Sequence, residues 1–483
     1  MRMESHMFIN KSRLFLALLT VSGLATLAGC ASVGPNYKAP AMKMPSIWQA
    51  ALPHEGSTRS LLDWWQGFND PTLNDLLQAA ESDNPTLAKA AAAIASARAN
   101  RGVAAASAYP SVNVGATSNR TGPLKSNGVE SSTLSSGILD ASWEIDLFGG
   151  ARRGREAASA RVEAREADWH NARVSLAAEV ASEYVSYRSC RLLSENQLKN
   201  LESLRSTANT TASAVKAGLT APAEQVLARA GVADASAALN VQEAECNLGI
   251  KSLVALTGLE EFTLREKLAD SAQWIPANNF LNVSSLPVQL LSQRPDLISA
   301  ERSLAAASAE IGVEEANRYP RLSLLGSINV DMAGIASGAS LWSFGPSLTV
   351  PLFKGGALRA QVARAQADYE SALAIYQSAV RSAVKETEQS LVRLDAANRR
   401  SEDLSNSARD YRRYYESARQ NWRAGGISLL LLEVASRNAL QAEQNAIAVQ
   451  RDRVLHGIAL YKALGGGWQV FPSTNSTGAH NEI

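Results

Sequence analysis

The sequence predicts a mostly α chain that lends a few strands to a transmembrane β-barrel shared between copies of itself. Three observations carry that expectation. The 483 residues contain an internal duplication. Each half holds a helical stretch far longer than globular helices usually are. Each half also holds two short segments in which apolar and polar residues alternate. Composition agrees: hydrophobic residues make up 46% but aromatics only 6%. That mix, rich in alanine, suits long helices lying close together rather than a thick aromatic core.

Charge and composition exclude several classes. The 47 Lys and Arg against 46 Asp and Glu leave no basic excess to neutralise phosphates, so no nucleic-acid partner is expected. The five histidines are scattered without metal-ligand spacing. The three cysteines, Cys30, Cys190 and Cys246, form no CxxC. No disulfide framework is implied, and Cys190 and Cys246 are expected as packed helix residues. No nucleophile–base constellation stands out, so neither an enzyme nor a cofactor is expected. Beyond the first thirty residues no apolar run is long enough for a transmembrane helix.

The N-terminus reads as an address. Lys11 and Arg13 precede an apolar run from Leu14 to Ala28, too short to span a bilayer comfortably. Residues 1–29 are read as a signal peptide. Glu4 and His6 are out of place in a basic leader, which makes Met7 an alternative start. Leu27-Ala28-Gly29-Cys30 resembles the bacterial lipobox, which implies that Cys30 becomes the acylated first residue. Two or more acyl chains would hold the protein stably on a membrane. In lipoproteins a residue other than Asp after that Cys, here Ala31, favours the outer membrane.

The duplication is read from landmarks. Arg294-Pro295-Asp296-Leu297 repeats Asn84-Pro85-Thr86-Leu87, and Tyr319-Pro320 repeats Tyr109-Pro110, both at an offset of 210. Ala424-Gly425 repeats Ala217-Gly218 at 207. After a lipidated segment (30–85), repeat 1 takes 86–286 and repeat 2 takes 287–468; 469–483 is a polar tail. Each repeat opens with an Ala-rich helix (about 86–107 and 296–317) that Tyr-Pro ends, because proline cannot continue it. Strands follow at about 111–119 and 137–148, then 321–332 and 341–353. A long helix runs over 151–216 or 357–422, Gly218 or Gly425 breaks it, and a third helix returns over 222–257 or 428–464. The long helix spans about 100 Å at 1.5 Å per residue. Val362, Tyr369 and Tyr376, interleaved with Leu373, Val380 and Leu394, show the threes and fours of a coiled coil.

The strands carry the sharpest pattern. Leu139, Ala141, Trp143, Ile145 and Leu147 alternate with Asp140, Ser142, Glu144 and Asp146. Trp342 and Phe344 lead a second such set, and Leu322 to Met332 alternate with polar residues ending at Asp331, broken only by Leu325. Period two puts each set on one face. By itself it fits both a half-buried soluble sheet and a sheet with one face to lipid and one to water. The lipobox and the very long helices favour lipid. Leu139, Trp143, Ile145, Trp342 and Phe344 are then lipid-facing, and Asp140, Glu144, Asp146 and Asp331 lumen-facing. A sheet in lipid must have no open edge. Four strands cannot close, since about eight is the working minimum. Two chains would give a filled barrel; three give twelve strands and room for water. A homotrimer is the physical expectation.

Cys30-Ala31-Ser32-Val33-Gly34-Pro35-Asn36-Tyr37, Trp64-Trp65-Gln66-Gly67-Phe68-Asn69-Asp70-Pro71 and Leu460-Tyr461-Lys462-Ala463-Leu464-Gly465-Gly466-Gly467-Trp468 resemble the TolC-like outer membrane factors, the NodT-type efflux lipoproteins in particular. The resemblance implies a homotrimeric twelve-stranded barrel in the outer membrane on a twelve-helix periplasmic tunnel. It implies passive export of drugs or other toxic small solutes, taken from an inner-membrane pump of the RND type through a periplasmic adaptor. It implies adaptor docking at the tips Gly218, Leu219, Gly425 and Gly426. It places the tunnel entrance after the second tip, with Leu429 and Glu433 on the family's Leu and Asp positions. Ser436 stands where the family often has Arg; the adjacent Arg437 is turned about 100° away on a helix, which puts a latch through that Arg in doubt. A ring of Glu433 carboxylates would favour cations. Alternatives are a type I protein secretion channel and a periplasmic coiled-coil scaffold lipoprotein. Gly149-Gly150 with Arg152, Arg153 and Arg155 could hold an anion, but more simply starts a long helix.

Overall fold

The computed structural model describes residues 32–40, 49–50, 64–124, 130–269, 275, 291, 293–331 and 340–466, of which 331 and 340 are described by backbone alone. Cys30, Met332 and the polar tail lie outside them. Chain order is α1 (Pro71–Ser82), α2 (Pro85–Ala106), β1 (Ser111–Thr121), β2 (Ser132–Ile145), α3 (Gly150–Lys216), α4 (Pro222–Thr257), α5 (Glu261–Ala269), α6 (Pro295–Ala316), β3 (Arg321–Asp331), β4 (Ser340–Thr349), α7 (Ala357–Arg423) and α8 (Leu429–Ala463). The long helices α3 and α7 have 67 residues each. No helix among the described residues is long and apolar enough to cross a membrane.

Compact units do not follow the repeats. One unit takes Ala92–Glu166 and Ser299–Gln377 with the first 41 residues; the other takes Met42–Ala91, Ala167–Ile298 and Ser378–Ile483. Each unit therefore draws on both repeats, as it must if α3 and α7 are single helices passing from one unit into the other. The first unit contains all four strands, in the order β1-β2-β3-β4, antiparallel throughout.

In the second unit the repeat motifs do equivalent work. Asn84 accepts from the Thr86 N–H at 2.9 Å and donates to the Leu256 carbonyl at 3.2 Å. Arg294, its counterpart 210 residues on, donates to the Ala463 carbonyl at 2.8 Å. Leu256 and Ala463 are themselves 207 residues apart. Each opening motif thus satisfies a carbonyl that the end of its own third helix leaves without an intrahelical partner. Arg294, buried, is held by Asp296 and Glu386 at 2.7 and 2.9 Å. The Trp64-to-Pro71 motif packs Trp64 flat on Tyr461, with centroids 4.6 Å apart. Asp70 caps α1 at the Leu73 N–H and accepts from the Tyr184 hydroxyl at 2.7 Å.

The cysteines correct the sequence reading: Cys190 on α3 and Cys246 on α4 form a disulfide. Gly218 lies at the midpoint of the 56 residues separating them. A hairpin closed at Gly218 therefore brings the two to one level. That symmetry about the helix break is the signal in the sequence that a search for CxxC passes over.

Candidate functional site

The register of the sheet sorts its side chains. Leu139 faces Val114 on one side and Ile328 on the other. Trp143 and Ile145 face Leu324 and Leu322; Ile328 faces Trp342, and Gly326 faces Phe344. All five residues expected to meet lipid share this one face. Within the chain that face is uncovered: Trp342 is 78% and Phe344 71% exposed. The opposite face puts Asp140 between Asn113 and Ser327 and pairs Glu144 with Ser323. Hydroxyl pairs Ser111–Ser142, Thr117–Ser136 and Ser327–Ser343, at 2.9, 3.0 and 2.9 Å, line it. Leu134, Ile138, Leu325 and Leu341 are its apolar exceptions. Asp331 pairs in register with Ser136, on the same face.

Asp146 departs from the expected set. β2 ends at Ile145, so the alternation does not carry Asp146 into the strand. Its carboxylate instead accepts from the Arg152 N–H at 2.9 Å. A carboxylate at a helix N-terminus satisfies an orphan donor and opposes the dipole; Asp146 starts α3.

Among the described residues the outer edges of β1 and β4 carry no partner strand. A soluble half-buried sheet would cover one apolar face. Among the described residues nothing covers either face or either edge of this one. Topology adds a direction: α2 enters β1, α3 leaves β2, α6 enters β3 and α7 leaves β4. All four helical junctions therefore lie at one end of the antiparallel sheet, and the β1–β2 and β3–β4 connections at the other.

The helix reversals are built alike. Gly218 and Gly425 take φ of 69° and 76°. The Gly218 N–H donates to Val215 O and the Leu219 N–H to Ala214 O. The Gly425 and Gly426 N–H groups repeat this with Trp422 O and Asn421 O. This pair of bonds needs a left-handed residue, where glycine avoids the Cβ clash. The returning helices start differently: Pro222 opens α4, whereas Ser428 caps α8 by accepting from the Leu431 N–H. Leu219 is exposed at the first tip.

Near the second tip, helix phase decides who faces what. Leu429 is 1% exposed and packs with Leu432, Ala435, Ala228 and Ala418. Spacing of three puts Leu429, Leu432 and Ala435 on the stripe that holds the hairpins together. The side chain expected at the tunnel entrance is thus seam, and Leu430, Leu431 and Val434 are the exposed ones. Ser436 is also buried and donates to Asn200 at 3.4 Å. Glu433 is half-buried and Arg437 exposed. Burial pushes the Glu433 carboxyl above the usual carboxylate range, and the Arg437 charge one turn on only partly offsets that.

The outer membrane efflux protein family matches residues 76–259 and 286–466. The chain is 30% identical to nodulation protein T of Rhizobium leguminosarum bv. trifolii over 450 residues, covering 92% of this chain and 95% of that one. It is 29% identical to the solvent efflux pump outer membrane protein SrpC of Pseudomonas putida, covering 94% and 98%. Among solved structures, the outer-membrane channel OprN superposes with a TM-score of 0.81 at 30% identity, over 90% of this chain and 99% of that one. With its duplicated halves and open-edged sheet, the chain belongs to the outer membrane efflux protein family, as an outer-membrane channel component.

Proposed function

We propose that three copies pool their strands into a closed twelve-stranded barrel, with the long helices forming a twelve-helix periplasmic tunnel. The observation that carries this is the sheet itself. Among the described residues it has two free edges and an uncovered apolar face bearing Leu139, Trp143, Ile145, Trp342 and Phe344. Each unpaired backbone group in hydrocarbon would cost several kcal/mol, so the edges of one copy must be closed by others. The face with Asp140, Glu144 and the hydroxyl pairs then lines water. The four helical junctions mark the periplasmic end of the barrel.

The conduit is passive and does no covalent chemistry. It receives drugs or other toxic small solutes from an inner-membrane pump, of the RND type, through a periplasmic adaptor. The adaptor docks at the matching tips Gly218-Leu219 and Gly425-Gly426. Glu433 from three copies narrows the mouth, with Arg437 beside it. Acylation of Cys30 adds a membrane anchor.

Membrane fractionation, gel migration with and without heating, and planar-bilayer recording test the assembly. The expected result is outer-membrane material that runs as a heat-dissociable trimer and conducts ions. A water-soluble monomer without conductance, once acylation is blocked, would overturn it.

A further inference from the structure

The start of α3 holds an arginine that the channel reading leaves without a task. Arg153 is 4% exposed. Its Nη1 donates to Glu156 at 2.8 Å. Among the described residues, its other guanidinium hydrogen bonds go to the N-terminal segment: Nε to Val33 O at 3.1 Å, Nη2 to Gly34 O at 3.3 Å and to Asn36 Oδ1 at 2.7 Å. The Val33 N–H in turn donates to Phe148 O at 3.0 Å. The chain's own carbonyls thus take up donors of this arginine that could have held an anion.

Three glycines make room for that segment. A Cβ on Gly149 would lie 2.4 Å from Ser32 Oγ, and one on Gly34 2.4 Å from the Gly312 Cα. A Cβ on Gly312 would press on the Arg153 stem at 2.8 Å. Farther along, the Tyr37 hydroxyl donates to Glu301 Oε1 at 2.5 Å. Residues 32–37 are thus pinned at both ends, with Gly34, Pro35 and Asn36 keeping one side exposed.

The second repeat supplies an internal control. Leu352-Phe353-Lys354-Gly355-Gly356 repeats Leu147-Phe148-Gly149-Gly150, and Arg359 stands 206 residues after Arg153. There Phe353 is 90% exposed and Arg359 is exposed. Gly102, the counterpart of Gly312, would meet nothing within 4 Å on gaining a Cβ. The same motif is occupied in one repeat and bare in the other, so helix initiation alone does not explain the contacts.

We infer that Arg153, Gly149 and Gly312 form a docking site for the N-terminal strap, and that Arg153 is the positioning residue that sets the level of the membrane anchor. This rests on the acylation of Cys30. Only Ala31 separates Cys30 from Ser32, so two steps of chain hold the acylated residue within about 7 Å of it. Ser32 is seated on Gly149, where β2 hands over to α3. The acyl chains are thereby delivered beside the periplasmic end of the barrel instead of roaming on a free tether.

The test uses full-length protein extracted from membranes and reconstituted in phosphatidylethanolamine–phosphatidylglycerol vesicles. Hydrogen exchange is read for residues 33–37, and a spin label at Ser32→Cys reports depth by oxygen and nickel collision. Arg153→Met keeps the stem and removes the donors. Exchange at 33–37 should accelerate about tenfold or more, the loss of a charged hydrogen bond. The label should lose its fixed depth, while exchange in α4 and α8 is unchanged. Arg359→Met should change neither. Asn36→Ala, which leaves α3 intact, should give a smaller acceleration at the same residues and serves if Arg153→Met does not assemble. Unchanged strap protection in Arg153→Met or Asn36→Ala, or equal loss in Arg359→Met, would overturn the proposal. The mass of the N-terminal peptide is measured separately. An unacylated peptide with a docked strap would refute the anchor role, and with it the acylation reading, while leaving the docking site.

Discussion

Replacing Leu139 by Arg puts a cation near the middle of β2, between Val114 and Ile328. On the lipid face of a barrel, Arg at the bilayer midplane costs about 2–4 kcal/mol per site. A trimer carries the substitution three times, so the assembled barrel loses about 6–12 kcal/mol. That compares with the whole stability of an ordinary domain. Asp140→Arg is the matched control, one residue on and on the opposite face, where the side chain meets water. Trp143 and Ile145 are gentler positions. The Trp143 indole donates to Ala108 O at 3.0 Å, beside the end of α2, which fixes it near the interface. Charge costs about 0–1 kcal/mol at such depth. Outer-membrane yield and the temperature of trimer dissociation on gels read the difference. Leu139→Arg should nearly abolish trimer, Trp143→Arg should weaken it slightly, and Asp140→Arg should leave it intact. Normal assembly of Leu139→Arg, or equal damage from Asp140→Arg, would refute the assignment of faces.

Two further outcomes are expected. Membrane-extracted protein should resist thiol alkylation until reduced and then take two labels, at Cys190 and Cys246; Cys246→Ser should lower the dissociation temperature, since a bridge of this span stabilises by about 2–4 kcal/mol. Because burial raises the Glu433 pKa, that carboxylate should lose its charge at a higher pH than an ordinary Glu as the solution is acidified, so cation preference in planar bilayers should fall with pH before other carboxylates titrate, and Glu433→Gln should remove that step; an identical pH profile in Glu433→Gln would take Glu433 out of the mouth.

Elements with a strong period were legible. Alternation over Leu139 to Ile145 fixes which residues share a face, since a slip of one would invert every side chain. The glycines at 218 and 425 mark reversals, because only a left-handed residue closes those bonds. What was not legible depends on partners far away in the chain. Asp146 fits the alternation in sequence, yet α3 begins only four residues later and claims its carboxylate. Leu429 matches a motif position, yet neighbouring helices set the phase that buries it. The strap contacts join residues about 120 apart and follow no period at all.

The two halves are copies in sequence but not in use, and the differences are located. At Asn84 and Arg294 the copies perform the same service for the ends of α4 and α8 with different chemistry. At the hairpins, α3 and α4 are joined covalently through Cys190 and Cys246. The corresponding positions 207 residues on are Ala397 and Arg453, and there Arg453 reaches Asn398 and Ser401 through hydrogen bonds at 2.9 and 3.1 Å. At the strand-to-helix junction, one copy clasps the strap and the other stands bare. In a closed ring of three chains, six such junctions surround the barrel, three clasped and three open. Twelve strands need only the pairing edges to match, so the barrel tolerates this alternation. The covalent staple, present once per chain, and the anchor proposed at Cys30 would then give the proposed tunnel threefold rather than sixfold character.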